Sequence, residues 1–144
     1  MPNRLISEVI TGQTLQTAND KMTVLAAAQA MVQSRIGSLL IVDDQGNLEG
    51  IFTERDALFR VIAKGIDPAK TTLSEVMTTK LQTITADRPL GHALHLMYEG
   101  GFRHVPVVDG TKPVGVISAR DALGGEMTQF EAELHQRDDI AEIL

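Results

Sequence analysis

Gly50-Ile51-Phe52-Thr53-Glu54-Arg55-Asp56-Ala57-Leu58 returns as Gly115-Val116-Ile117-Ser118-Ala119-Arg120-Asp121-Ala122-Leu123, 65 residues later. In each copy an apolar strand ends at a hydroxyl residue, and Arg-Asp-Ala-Leu opens a helix. Outward from this stretch, Ile41-Val42-Asp43 aligns with Val107-Val108-Asp109, at an offset of 66. Val24 and Ala27 align with Leu90 and Ala93, and Leu15-Gln16-Thr17 with Leu81-Gln82-Thr83, at the same offset. The residue lost lies where Asp44-Gln45-Gly46-Asn47 faces the shorter Gly110-Thr111-Lys112. Both are turn sequences, where a duplicated fold tolerates a deletion.

Each repeat reads β-α-β-β-α. In the first, strand 14–18 precedes a helix over 23–33, with Val24, Ala27, Ala28, Met31 and Val32 at helical spacing. Strands 38–42 and 48–53 form a hairpin. A helix over 53–63 follows, with Ala57, Leu58, Val61 and Ile62 on one face. The second repeat repeats the order: strand 81–85, helix 89–98, hairpin strands 104–108 and 114–118, then a helix interrupted at Gly124-Gly125. The fold class is α/β (α+β), two units related by a pseudo-twofold axis. A unit of about 55 residues buries too little surface to stand alone, so the two are expected to pack sheet to sheet around a shared core. Three regions result: 1–66, an N-terminal helix carrying Leu5, Ile6, Val9 and Ile10 plus repeat 1; 67–125, a linker plus repeat 2; and 126–144, an amphipathic helical tail. The tail, with Phe130, Leu134, Ile140, Ala141 and Leu144, packs on its own repeat or meets a partner.

Composition bounds the function. The chain has 144 residues, 43% hydrophobic and 22% charged, near the average for globular domains, which excludes disordered and fibrous classes. No apolar run approaches the roughly 18 residues of a membrane span, and residues 1–12 lack the apolar core of a secretory signal. No membrane association is expected. There are no cysteines, which removes disulfides, thiol catalysis and thiolate metal sites. A cytoplasmic location is expected. The 13 basic and 19 acidic residues give a net charge of −6, and no basic face for nucleic acid is visible. Aromatics at 3% leave little for base stacking. A local anion site remains open, because net charge does not describe one cleft.

The repeated motif carries the chemistry. Thr53 and Ser118 stand at helix starts, beside backbone N–H groups suited to a phosphate. Asp56 and Asp121 lie one turn on, where a carboxylate accepts from vicinal ribose hydroxyls. Arg55 and Arg120 are placed to neutralise phosphate charge. A sugar acceptor beside phosphate donors describes a nucleotide. A capping box has the same spacing and needs no ligand.

The two copies together resemble a tandem CBS-domain pair, or Bateman module, over roughly residues 5–125. The resemblance rests on the strand pattern, the Ile-Val-Asp or Val-Val-Asp strand ends and Gly-h-h-[Ser/Thr]-x-x-Asp, where h is apolar. It implies two clefts between the repeats, each for an adenosine-containing ligand such as AMP, ADP, ATP or S-adenosylmethionine, with no obligatory cofactor. Cleft A takes Ile51, Thr53, Arg55 and Asp56, with Thr78, Leu81, Phe102 and Arg103 crossing from the other repeat. Cleft B takes Val116, Ser118, Arg120, Asp121 and His104, with Ile36, Gly37 and Thr11. His104 stands where the family often puts a basic residue that contacts phosphate. The first repeat departs from the pattern: Ser38 matches His104, and Leu40 stands where the family usually has proline. Cleft A is therefore expected to hold phosphates more weakly.

The expectation is a stand-alone regulatory module for energy sensing, signalling through a homodimer or an effector protein in trans. The alternative is a structural or protein-interaction module with degenerate clefts. An enzyme is the third reading. No Ser/His/Asp arrangement or acid–base pair supports it. His92, His95 and Glu99 share a helix face but lack a further ligand at zinc spacing. Met31, Met77 and Met97 read as core filler.

Overall fold

The computed structural model describes residues 4–124 and 132–138. Helix α1 (Ile6–Ile10) precedes strand β1 (Thr17–Asn19), helix α2 (Val24–Ser34) and the hairpin β2 (Ser38–Val42) and β3 (Leu48–Thr53). A short α3 (Glu54–Asp56) runs into a π-helical stretch, Ala57–Ile62. Then come α4 (Leu73–Val76), α5 (Leu90–Gly100), the hairpin β4 (His104–Asp109) and β5 (Lys112–Ser118), and a 3-10 turn, Ala119–Leu123. Of the tail, residues 132–138 are helical and exposed; the remainder, with Phe130, Ile140, Ala141 and Leu144, lies outside the described residues.

The duplication is visible in the ladders. Ser38 pairs with Thr53, and His104 with Ser118, so corresponding residues meet in both hairpins. A bulge interrupts each hairpin at the same point, between Ile41 and Val42 and between Val107 and Val108. The first repeat forms a three-stranded sheet, with β1 parallel to β2. In the second, the strand expected over 81–85 shrinks to one parallel bridge, Ile84 to Val107. The carbonyls after Ile84 are diverted: Ala86 accepts from Ser7 N–H at 2.9 Å and Arg88 from Ile6 N–H at 2.8 Å.

Where one shared core was expected, the buried side chains form two clusters. Val24, Ala27, Met31, Leu39, Ile41, Phe52, Val61 and Leu73 fill the first. Ile84, Leu90, Ala93, Met97, Val105, Val107 and Ile117 fill the second, together with Ile6 from α1. The N-terminal helix thus packs into the second repeat. The hairpin tips join the repeats: Leu48 N–H donates to Thr111 C=O at 2.8 Å, Thr111 Oγ1 to Asn47 Oδ1 at 2.6 Å, and Lys112 Nζ to Gln45 C=O. At the first tip, N–H groups of Asn47 and Gln45 hold Asp43 as a carboxylate, below its usual range.

Thr23 caps α2 by accepting from Ala26 N–H at 3.1 Å. Arg35 ends it in the left-handed region, φ 54°, where the second repeat has Gly101, φ 71°. An L side chain there costs about 1–2 kcal/mol. The expected faces are partly displaced. Val32 is exposed, as are Leu58 and Ile62, while Val61 alone of the π-helical stretch is buried. Ala63 N–H bonds to Leu58 C=O, a π-type closure. The wider turn rotates Leu58 and Ile62 outward and directs Arg60 at the carbonyls of Val76 and Met77, 3.2 and 3.3 Å away.

Candidate functional site

Two cavities lie where the repeats face one another. Cleft A is about 550 Å³ and cleft B about 710 Å³, within the range of small-molecule sites. Ile51, Thr53, Arg55, Asp56, Thr78, Leu81, Phe102 and Arg103 all line cleft A, joined by Glu54, Leu58, Phe59, Lys80, Gln82, His104 and Pro106. Ile36, Gly37, His104, Val116, Ser118, Arg120 and Asp121 line cleft B. The apolar side of cleft B is made by Met31, Leu40 and Phe52, and Arg35 stands in its lining too.

Thr11 is the exception and is corrected. Its hydroxyl donates to Ser7 C=O at 2.6 Å, closing α1, and the residue does not line cleft B. Gln13 stands there instead. Its Nε2 donates to Val116 C=O at 2.8 Å, and its Oε1 accepts from Val116 N–H at 3.1 Å. In cleft A the same two bonds come from backbone: Ile51 N–H to Thr78 C=O at 3.0 Å, and Thr78 N–H to Ile51 C=O at 2.9 Å.

The carboxylates differ between the clefts. Asp56 is buried, its Oδ2 accepting from Thr53 N–H at 3.0 Å and its Oδ1 3.5 Å from Arg60 Nε. Thr53 Oγ1 accepts from Asp56 N–H at 3.2 Å, completing a reciprocal capping box. Asp121 is half-buried, and one oxygen, Oδ2, takes both Ser118 donors, N–H at 2.7 Å and Oγ at 3.3 Å. Both sites share the capping-box geometry, and Ser118 adds a hydroxyl bond to the aspartate.

The helix starts are less open to an anion than the motif suggests. Glu54 N–H is taken by Gly37 C=O at 3.1 Å and Ala119 N–H by Arg103 C=O at 2.9 Å. The cations are partly engaged as well. Arg55 donates to Gly101 C=O at 3.1 Å and lies over the Phe59 ring, 5.9 Å from its centroid. Arg35 donates to the His135 ring at 3.0 Å, tying the tail helix to the rim of cleft B.

One wall is common to both cavities, formed by Glu54, Arg103 and His104. Burial pushes the His104 imidazolium pKa below its usual value, against the opposing pull of Glu54 and Asp121. Nothing in the motif marks Gln13, Glu54, Lys80 or Arg60. Gln13 reaches Val116 and Arg60 reaches Val76 from segments remote in the chain, and Glu54 and Lys80 enter the linings through the way the repeats face each other. On the outer face, His95 pairs with Glu99 at 2.9 Å. Among the described residues no group of three or more His, Asp or Glu is placed to hold a metal ion, and no helix is long and apolar enough to cross a membrane.

The CBS domain model matches residues 6–63 and 73–125. The CBS domain-containing protein CBSCBSPB2 of Arabidopsis thaliana is 33% identical over 87% of this chain and 23% of its own length. The chain spans 18–23% of the length of the three long Arabidopsis relatives of that type. The uncharacterized protein MK0525 of Methanopyrus kandleri is 30% identical, over 88% of this chain and 67% of its own. Among solved structures, a conserved protein from Pyrococcus horikoshii superposes with a TM-score of 0.79 at 28% identity, covering 88% of this chain and 94% of that one. The CBS domain pair of protein MJ0100, in complex with methylthioadenosine and S-adenosyl-L-methionine, gives 0.75 at 29%, covering 83% and 96%. The long Arabidopsis relatives are named as CBS domain-containing proteins, not as enzymes.

Proposed function

Because the chain belongs to the CBS-domain family as a tandem pair, we propose that it is a cytoplasmic regulatory module, not an enzyme, that binds an adenosine-containing ligand between its repeats. The observation that carries this reading is the half-buried Asp121 in the lining of a cavity of about 710 Å³ that Arg120 and His104 also line. Asp121 takes both Ser118 donors on Oδ2, which leaves Oδ1 to accept from vicinal ribose hydroxyls. Met31, Leu40 and Phe52 supply an apolar wall for a base. The neighbour MJ0100, with its two adenosine-type ligands, supports the ligand class.

Cleft B is the stronger site in this reading. In cleft A both oxygens of Asp56 face internal partners, Thr53 N–H and Arg60. Lys80 and Arg103 offer cleft A its phosphate contacts. Binding shifts the repeats relative to each other, and a second copy of the chain or an effector protein reads the shift. Exposed Ile62, together with Leu58 and Phe59, which also line cleft A, gives a homodimer an apolar helical face.

Thermal unfolding with AMP, ADP, ATP, S-adenosylmethionine, NADH and GTP tests the reading. A ligand at about 100 times its Kd stabilises the native state by about 2.7 kcal/mol, several degrees for a chain this size. The expected result is a shift for adenosine ligands that Asp121→Ala abolishes and Asp56→Ala weakens less. No shift with any of them at millimolar concentration overturns it. A second reading, an interaction module with degenerate clefts, draws on the capping-box geometry of both aspartates. It requires unchanged unfolding with every nucleotide.

A further inference from the structure

Arg35 is the one non-glycine residue in the left-handed region among the described residues. Glycine takes that conformation without strain, and the second repeat has Gly101 at the matching place. A strained residue kept where glycine would serve points to what its side chain does. Arg35 ends α2, and Ala28, Met31, Val32 and Arg35, at helical spacing, line cleft B. Their counterparts Leu94, Met97, Tyr98 and Gly101 do not line cleft A. Cleft B therefore runs onto the face of α2 as far as Arg35. The exposed His135, on the tail helix over 132–138, meets the same side chain: its Nδ1 and Nε2 stand 3.0 and 3.1 Å from Arg35 Nη1. A guanidinium has no acceptor, so the ring accepts.

We propose that Arg35 is a binding residue of cleft B held in reserve by the tail helix: an anionic ligand in cleft B and the His135 ring compete for its guanidinium, and binding loosens the tail. This rests on the adenosine-binding reading of cleft B and adds to it the element that moves. Cleft B favours an anion, since Arg35, Arg103 and Arg120 outnumber Glu54 and Asp121 in its lining. An anionic acceptor takes the guanidinium from a neutral imidazole, because charge-assisted hydrogen bonds are about twice as strong. The coupling is reciprocal: what the ligand takes from the tail contact, the tail takes from ligand affinity. At the matching place beside cleft A, Gly101 brings only its backbone, whose carbonyl accepts from Arg55.

The chain has no cysteine, so Gln136→Cys carries a single fluorophore on the exposed tail helix, and its anisotropy follows the tail. Titration calorimetry with AMP and with adenosine, on unlabelled protein, reports binding separately. AMP is expected to lower the anisotropy; adenosine, which has no anionic group, is expected to bind and leave it unchanged. His135→Ala is expected to bind AMP about threefold more tightly, the scale of one exposed neutral hydrogen bond, with adenosine unaffected. Arg35→Gly removes the left-handed strain and so keeps the fold. Its labelled tail is expected to be loose before any ligand is added, and its AMP affinity to fall. If adenosine binds while AMP leaves the label unmoved, or if His135→Ala leaves AMP affinity unchanged, the competition for Arg35 is wrong and the adenosine reading stands. If neither compound binds the wild-type chain, both fail.

Discussion

The two clefts close one strand edge with the same pair of hydrogen bonds made by different atoms. At Ile51 the partner is the backbone of Thr78; at Val116 it is the side-chain amide of Gln13. A backbone partner is dictated by where the chain runs and is indifferent to which residue stands there. A side-chain partner depends on one residue and is removed with it. Repeats with the same motif therefore build clefts of unequal robustness, and the inequality lies outside the motif.

The largest effect is expected at the two glycines beside these edges. A Cβ on Gly50 would meet Thr78 C=O at 2.9 Å and Met77 Sδ at 2.9 Å; one on Gly115 would meet Ile10 Cγ2 at 2.8 Å and Gln13 Oε1 at 3.0 Å. The Thr78 carbonyl belongs to a paired backbone, whereas Ile10 and Gln13 contribute side-chain atoms. Gly50→Ala is expected to destabilise by about 3 kcal/mol and Gly115→Ala by about 1 kcal/mol in urea unfolding. Equal losses would break the distinction between a backbone edge and a side-chain edge.

Gln13→Ala comes next. It leaves Val116 N–H and C=O to water and is expected to cost about 1–2 kcal/mol. Hydrogen exchange sharpens the point, with the Val116 amide losing protection while the Ile51 amide keeps it. Protection retained at Val116 would mean that another group covers the edge.

The smallest effect is a pH dependence at the shared wall. The folded pKa of His104 lies below the ordinary imidazole value, because burial disfavours the cation. The unfolded chain then binds the proton more readily, so stability is full above about pH 6.5 and declines as pH falls through that value. His104→Asn is expected to flatten this part of the stability–pH curve relative to wild type. An unchanged slope would assign the dependence to another group.

Much of the fold is legible because short-range signals decide it. Turn residues and the 66-residue offset locate both hairpins, and helical spacing locates α2 and α5. Ladder bulges recurring at Ile41/Val42 and Val107/Val108 carry the repeat into the geometry. What escapes is set by partners far along the chain. Leu58 and Ile62 read as core by α-helical spacing, but the π-type closure turns them outward. The second copy of β1 has the right residues and loses its neighbours' carbonyls to α1. The motif residues Thr53, Asp56, Ser118 and Asp121 fall in the cavity linings. Gln13 and Glu54 carry no such signal, since a polar residue in a loop or at a helix start has no spacing that announces its contacts. Thr11 read as a cleft residue, and a local bond to Ser7 takes its hydroxyl instead.

Ile6, fully buried among residues of the second repeat, has a consequence for the order of assembly. Translation delivers α1 first and its partners, between Ile84 and Ile117, much later. The first repeat can pack its own cluster as it emerges, whereas α1 must wait for the second hairpin, a closure of high contact order. Gln13 follows directly from α1, its N–H bonded to Ile10 C=O at 3.0 Å. The edge at Val116 is therefore completed after the edge at Ile51, and cleft B becomes whole only when both ends of this long loop have met.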